Sequence, residues 1–106
     1  MTLFAALQMT SGTQPEANLD ALERLARDAA RQGAAYALSP EVTVAFAEDR
    51  EGLTKVARPF GNNPDVARCA RIARDTRLWL HVGSLAVALP DGRFANRSVL
   101  FSPEGE

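Results

Sequence analysis

Cysteine, histidine and lysine are the scarce residue types of this 106-residue sequence, since each occurs once, at Cys69, His81 and Lys55. A single cysteine excludes an internal disulfide and favours a reducing compartment, so we expect a cytoplasmic protein. A lone histidine without a second ligand at a recognisable spacing predicts no metal site. Glycine motifs that bind phosphate are also absent, and we expect no cofactor.

The sequence also lacks a long hydrophobic run and an excess of one charge. No segment has the length of a membrane span, and the apolar opening residues lack the basic stretch that begins a signal peptide. The net charge of -1, with arginines and acidic residues interspersed, offers no basic face to nucleic acid. Hydrophobic residues make up 46% and charged residues 24%, as in an ordinary folded domain. We expect residues 1–106 to form one domain or part of one, without a nucleic-acid or membrane partner.

The apolar pattern predicts an α/β chain in the order strand, helix, strand, helix, strand, strand. Residues 3–9 are nearly all apolar, as in a strand that is buried on both faces. Thr13 and Glu16 then suggest a capping box for a helix whose apolar positions recur at helical spacing until Gly33 ends it. Residues 34–38 predict a second strand, and this order implies a parallel, right-handed crossover.

The second half of the chain begins with a segment, 42–63, that is predicted to be loop, short helix or both, with its charged residues on the surface. Asn63 and Pro64 have the chemistry of a helix cap and a first helical position, so a second helix is predicted from there. Residues 78–89 and 94–101 are apolar runs joined by a Pro-Asp-Gly-Arg turn. They predict a hairpin of two strands.

Glu41 is the candidate for chemistry in this pattern. It follows the second predicted strand directly, and the carboxyl ends of strands in open α/β sheets are where ligands and catalytic groups collect. The apolar residues Val42, Val44 and Phe46 favour a general base, because a carboxylate among apolar side chains takes up a proton more readily than one in water. On spacing alone, an exposed loop glutamate or a residue at a helix N-terminus explains Glu41 as well.

Six short segments are more specific when they are taken together. They are 4–9 (Phe-Ala-Ala-Leu-Gln-Met), 33–34 (Gly-Ala), 39–41 (Ser-Pro-Glu), 79–85 (Trp-Leu-His-Val-Gly-Ser-Leu), 91–98 (Asp-Gly-Arg-Phe-Ala-Asn-Arg-Ser) and 103–106 (Pro-Glu-Gly-Glu). In order and spacing they resemble the N-terminal part of the nitrilase superfamily of carbon-nitrogen hydrolases. The resemblance covers nearly the whole chain, is weakest between residues 44 and 62, and is strongest to bacterial Nit-type amidases.

The resemblance implies an α-β-β-α sandwich, of which residues 1–106 would be the N-terminal part. It also implies a homo-oligomeric hydrolase that acts on a small-molecule amide or nitrile, with small carboxylic ω-amides or deaminated glutathione as the substrates of Nit-type amidases. In this family a glutamate is the general base, a lysine stabilises the tetrahedral intermediate and a cysteine is the nucleophile. The Ser-Pro-Glu segment places the glutamate at Glu41. We expect the chain to end before the family's lysine and cysteine.

Lys55 and Cys69 follow Glu41 in the family's catalytic order, but neither matches the family's positions. The family's lysine follows the hairpin, whereas Lys55 precedes the second predicted helix and is expected to be solvated. Cys69 shares an apolar helical face with Val66 and Ala73, where a small buried thiol is ordinary. We therefore exclude both residues from the predicted site.

Four further residues need an interpretation. His81 is predicted to be structural, and Asn96 is predicted to be a structural hydrogen-bonding residue. Gly83 either admits a close backbone approach near the site or relieves crowding in a packed strand. Ser39 stands where the family often has an aliphatic residue before Pro-Glu. This departure weakens any transfer of substrate specificity.

Two other interpretations of the whole chain are open. The first is an α/β binding or scaffold module that has lost its chemistry and retains half of the fold. Such a module would leave strand edges and an apolar face exposed, and both promote association. The second is a gene fragment without an independent function.

Overall fold

A four-stranded mixed sheet organises the part of the chain that the computed structural model describes, which is residues 2–9, 11–41, 43–44 and 50–106. The elements are β1 (Leu3–Ala6), α1 (Pro15–Arg31), β2 (Ala34–Leu38), α2 (Arg50–Val56), α3 (Pro64–Thr76), β3 (Trp79–Ala88) and β4 (Phe94–Phe101). The strand order is β1-β2-β3-β4, with β1 to β3 parallel and β4 antiparallel to β3. The predicted α/β order is confirmed, and α2 is an additional helix.

Helix α1 covers β1 and β2 from one side of the sheet. Leu19, Leu22, Ala26 and Ala29 recur at helical spacing and are all buried. The helix ends where predicted, with Gly33 at a φ of 91° that favours glycine.

The capping box predicted for α1 is wrong. The N-cap residue is Gln14, whose side chain makes no capping hydrogen bond. The helix starts after Gln14 because Pro15 fits the first helical position, where its fixed φ is favourable and its missing N–H costs nothing. Thr13 therefore lies one residue too early to cap.

Helix α3 covers the same side of the sheet next to α1. Its start is as predicted, since the Asn63 side-chain oxygen accepts hydrogen bonds from the backbone N–H groups of Asp65 at 2.9 Å and Val66 at 3.3 Å. The buried face of α3 joins α1 and the sheet in one hydrophobic core, whose members from α3 are Cys69, Ile72 and Ala73. These contacts leave the opposite side of the sheet without a helix among the described residues.

Strand β1 is shorter and more exposed than predicted. The sequence predicted a strand over residues 3–9 that is buried on both faces, whereas β1 is Leu3–Ala6 and Phe4 is 70% exposed. The prediction is wrong because β1 lies at the edge of the sheet and is covered by a helix on one face alone. Burial on the second face depends on a neighbour that local sequence does not specify.

The side of the sheet away from α1 and α3, here called the outer face, is apolar. Strand register aligns Phe4 with Tyr36 and Tyr36 with Trp79, and it aligns Leu38 with His81 and His81 with Leu100. The exposed large side chains on this face are Phe4, Leu38, Trp79 and Leu100. The alternate positions Ala37, Leu80 and Phe101 are buried under the helices.

The hairpin of β3 and β4 is confirmed, and it contains one irregularity. Val82 pairs with Val99, whereas Leu85 pairs with Arg97, so β3 carries one extra residue between these pairs. Gly83 and Ser84 lie in this bulge. The irregularity matters for function because the segment after β2 packs against these two residues.

Segment 42–63 contains helix α2, in agreement with the prediction of a loop, a short helix or both. Arg58 then bridges to Val87, and the Ala88 N–H donates to the Arg58 carbonyl at 2.9 Å. The predicted surface position of the charged residues 48 and 49 lies outside the described residues. No described helix is both long enough and apolar enough to cross a membrane.

Candidate active site

Glu41 lies in an exposed turn two residues beyond the end of β2. Because β1, β2 and β3 are parallel, their carboxyl ends face the same edge of the sheet, and Glu41 is at that edge. Of the apolar neighbours expected around it, Val44 is buried. Val42 and Phe46 lie outside the described residues. A helix N-terminus is excluded as an explanation, because Glu41 belongs to a turn.

Two backbone hydrogen bonds join the Glu41 loop, defined as residues 39–43, to β3. The Ser39 N–H donates to the His81 carbonyl at 2.9 Å, and the Thr43 N–H donates to the Ser84 carbonyl at 3.0 Å. Both ends of the loop are therefore held on the same strand, on either side of Glu41.

The side chains of Ser39 and Thr43 meet under the loop. The Ser39 Oγ and Thr43 Oγ1 atoms are 2.8 Å apart, and Thr43 Oγ1 also donates to the Pro40 carbonyl. The exposed fractions of Ser39 and Thr43 are 1% and 0%, so water does not satisfy these hydroxyl groups. Every buried side-chain polar atom of the described residues has a partner. The sequence analysis noted Ser39 as a departure from the family, and the partnership with Thr43 explains how a buried serine is tolerated there.

Gly83 allows the loop to lie directly on β3. A Cβ atom at this position would stand 2.4 Å from the Ser39 carbonyl oxygen and 2.6 Å from the Pro40 carbonyl oxygen. Both atoms belong to the backbone and cannot rotate away. Of the two interpretations of Gly83, the close backbone approach next to the candidate site is therefore the one observed.

Asn18 and Ser11 hold the other side of the loop. The Asn18 side chain donates to the Val44 carbonyl at 2.6 Å and to the Gly12 carbonyl at 2.9 Å, and it accepts from the Gly12 N–H at 2.9 Å. The Ser11 hydroxyl donates to the Thr43 carbonyl at 3.0 Å. The sequence analysis assigned no role to Asn18. The available signal was an asparagine at a buried position of the apolar face of α1.

Lys55 does not have the environment of a catalytic lysine. Its side chain is 74% exposed on α2 and stands 3.9 Å from the Glu51 carboxylate, one helical turn earlier. This is the solvated position that the sequence predicted. A surface pair of this kind contributes little to stability.

Cys69 lies in the core beneath α3, as predicted, with 1% of its surface exposed. Burial raises the pKa of its thiol to about 12, and the negative charge of Asp65 raises it further than the Arg68 guanidinium lowers it. The thiol is therefore protonated at neutral pH. Because the thiolate is the nucleophilic form, Cys69 cannot serve as the nucleophile.

His81 is held between two hydroxyl groups on the outer face. The Tyr36 hydroxyl is 2.6 Å from Nδ1, and the Ser98 hydroxyl is 2.6 Å from Nε2. Ser98 Oγ in turn lies 3.4 Å from the Val82 carbonyl, to which it donates. These contacts explain His81 as a structural residue. No described group of three histidine, cysteine or acidic side chains is placed to bind a metal. Asn96 is exposed on β4, opposite Ala86.

The fold and the arrangement around Glu41 agree with a family comparison. The family model for carbon-nitrogen hydrolases matches residues 3–106. The chain therefore belongs to the carbon-nitrogen hydrolase family, and the predicted family is confirmed.

Individual relatives are amidases. A deaminated glutathione amidase of Bos taurus is 34% identical over 83 residues, which is 78% of this chain and 25% of that protein. A variant of the amidase from Nesterenkonia sp. AN1, showing the result of Michael addition of acrylamide at the active site cysteine, is 26% identical with a TM-score of 0.82. That match covers 100% of this chain and 41% of the other. A second variant of the same amidase, described as a member of the nitrilase superfamily, gives 27% identity and a TM-score of 0.80 over 97% of this chain and 39% of that one.

The coverage of these relatives differs from one side to the other. The chain spans about a quarter of the length of the curated amidase and about two fifths of the solved one. Its sheet and helices therefore correspond to part of the nitrilase-superfamily fold.

Proposed function

We propose that Glu41 is the general base of an amidase that hydrolyses the carbon-nitrogen bond of a small-molecule amide. The observation that carries the proposal is the position of Glu41, which is exposed at the carboxyl edge of three parallel strands while both ends of its loop are fixed to β3. A base that must meet a substrate needs this combination of access and a rigid support. Membership of the carbon-nitrogen hydrolase family supports the same reaction class.

In the proposed reaction, the Glu41 carboxylate accepts the proton of a cysteine thiol, and the thiolate attacks the carbonyl carbon of the amide. A lysine ammonium group stabilises the negative charge that develops on the carbonyl oxygen. The carbon-nitrogen bond then breaks, the proton passes from Glu41 to the leaving amine, and a thioester remains. Water hydrolyses the thioester after Glu41 accepts its proton, which releases the carboxylic acid and the free thiol.

The lysine and the cysteine of this reaction are not Lys55 and Cys69. Lys55 is solvated on α2, and the Cys69 thiol is buried and protonated at neutral pH. We place both catalytic groups outside these 106 residues, as the family resemblance implies. Under this proposal the 106 residues supply the base and its support but do not catalyse hydrolysis alone.

The proposed substrate class is a small carboxylic ω-amide. The relatives named above include a deaminated glutathione amidase and an amidase whose active site cysteine adds acrylamide. Both names support an amide substrate rather than a nitrile. The cytoplasmic location and the homo-oligomeric state stay predictions.

The test is ammonia release by the complete gene product from a panel that contains succinate monoamide and acetamide. We expect Glu41→Gln to lower kcat by about 10²- to 10⁴-fold, the range that a positioned acid or base contributes. Lys55→Met and Cys69→Ala are matched controls and should keep kcat within about threefold of the unmodified protein. An active Glu41→Gln variant would refute the role of Glu41. Loss of activity in either control would refute the exclusion of that residue.

A binding or scaffold module is the second candidate, because the described residues already enclose a hydrophobic core of their own between the sheet and helices α1 and α3. The isolated 106-residue chain would then be a soluble monomer that unfolds cooperatively, and the complete gene product would release no ammonia. Analytical ultracentrifugation and urea denaturation distinguish this candidate from the amidase when they are combined with the activity panel.

A further inference from the structure

Ser39, Thr43 and Gly83 form a hydrogen-bonded support beneath the peptide bond that joins Pro40 to Glu41. We propose that the hydroxyl groups of Ser39 and Thr43, backed by Gly83, are positioning groups that aim the Glu41 carboxylate. This inference rests on the proposed function of Glu41, and it adds two residues that act through Glu41 rather than on the substrate.

The hydrogen bonds under the loop have one consistent direction. The Pro40 carbonyl accepts from a hydroxyl group, so the Thr43 hydroxyl proton points to it. Thr43 Oγ1 must then accept from the Ser39 hydroxyl at 2.8 Å. The Ser39 Oγ atom accepts in turn from the Gly83 N–H at 3.4 Å. The chain therefore runs from the backbone of β3 through two side chains to the carbonyl group that precedes Glu41.

This chain acts on the torsion angle that directs Glu41. The ring of Pro40 fixes its φ, so the angle ψ of Pro40 sets where the next residue is placed. That angle also sets the position of the Pro40 carbonyl oxygen, which Thr43 holds. The backbone bonds of Ser39 and Thr43 to β3 fix the ends of the loop but leave this peptide plane free to rotate. The hydroxyl of Thr43 removes that remaining freedom.

Gly83 limits the same movement from below. The carbonyl oxygens of Ser39 and Pro40 occupy the space that a Cβ atom at Gly83 would fill, so the loop rests on the bulge of β3. The loop cannot move toward β3 because of this contact, and the hydroxyl chain resists movement away from it. Burial of both hydroxyl groups also means that a lost bond is not replaced by water.

The experiment compares variants of the complete gene product with succinate monoamide as the probe. Thr43→Val preserves the shape of the side chain but removes its hydroxyl, and we expect kcat to fall by about ten- to a hundredfold with KM changed less than threefold. Thr43→Ser restores the hydroxyl and should bring kcat to within about threefold of the unmodified protein. Ser39→Ala removes the middle link alone and should lower kcat in the same direction by a smaller factor.

Thr76→Val is the matched control, because Thr76 Oγ1 also donates to a backbone carbonyl, that of Ile72 at 2.6 Å, but does so in α3. It should lower the melting temperature without changing kcat. All rates are measured at a temperature at which circular dichroism shows each variant folded. If Thr43→Val does not fold, Ser39→Ala decides the question through the same separation of kcat from KM.

Two results would overturn the inference while leaving the proposed function intact. One is an unchanged kcat in Thr43→Val beside an inactive Glu41→Gln. The other is equal loss in Thr43→Ser and Thr43→Val, because the hydroxyl would then not be the feature that matters. An active Glu41→Gln would overturn the proposed function and the inference together.

Discussion

Replacing Gly83 by alanine tests whether the close contact between β3 and the Glu41 loop is real. The added Cβ atom would be 2.4 Å from the Ser39 carbonyl oxygen, and ordinary contact begins at 3.4 Å, so the loop must recede by about 1 Å. The Ser39 N–H to His81 carbonyl bond, at 2.9 Å, cannot survive a displacement of that size.

The expected loss of stability follows from these two effects. Forcing an extra methyl group into a packed site costs about 1–3 kcal/mol, and the lost hydrogen bond adds about 1 kcal/mol. Alanine reduces the entropy of the unfolded chain, which offsets about 0.4–1 kcal/mol of this cost. We expect Gly83→Ala to lower the free energy of unfolding by about 2–3 kcal/mol. A displacement of about 1 Å at the base should also lower kcat by at least about tenfold.

Urea denaturation and ammonia release measure the two quantities in the complete gene product. Gly61→Ala is the matched control, because a Cβ atom there would meet nothing within 4 Å. Its free energy of unfolding should stay within about 0.5 kcal/mol of the unmodified protein. If Gly83→Ala behaves like this control, the packing argument is wrong. If it is destabilised but keeps its kcat, the link between this contact and Glu41 is wrong.

Two other predictions concern buried polar groups. Asn18→Ala removes three hydrogen bonds and should lower the free energy of unfolding by about 3 kcal/mol in a urea titration, while Asn96→Ala, on the exposed face of β4, should change it by less than about 0.5 kcal/mol. Cys69 should not react with Ellman's reagent at pH 8 until the protein is unfolded, and rapid labelling of the folded protein would contradict its burial. Since the pKa of Cys69 rises from 9.0 to about 12 on folding, the unfolded chain releases its proton first, and stability should fall between pH 9 and 12 by about 1.4 kcal/mol per pH unit, a component that Cys69→Ala removes.

The elements predicted correctly are those whose signals are local. Asn63 and Pro64 begin α3 as predicted, because capping depends on residues within one helical turn. The start of α1 was wrong for a related reason, since two local signals competed and Pro15 prevailed over Thr13. The exposure of β1 could not be predicted, because it depends on the place of the strand in the sheet.

The candidate site was predictable in part for the same physical reason. Glu41 follows a recognisable strand and a Pro-Glu segment, so its place at the carboxyl edge of the sheet could be predicted. Its support could not be. Gly83 lies 44 residues from Ser39 in the chain, and Asn18 lies 26 residues from Val44. Such pairs are specified by the sheet register and by a bulge, neither of which a single sequence determines.

The outer face contains a natural optical probe. Trp79 is the one tryptophan of the sequence, and it lies on that face with 46% of its surface exposed. Indole emission depends on the polarity around the ring, so the fluorescence of Trp79 reports whether this side of the sheet contacts water or another protein layer. The isolated 106 residues and the complete gene product can thus be compared without a label, on the surface where the α-β-β-α arrangement would add its second sheet.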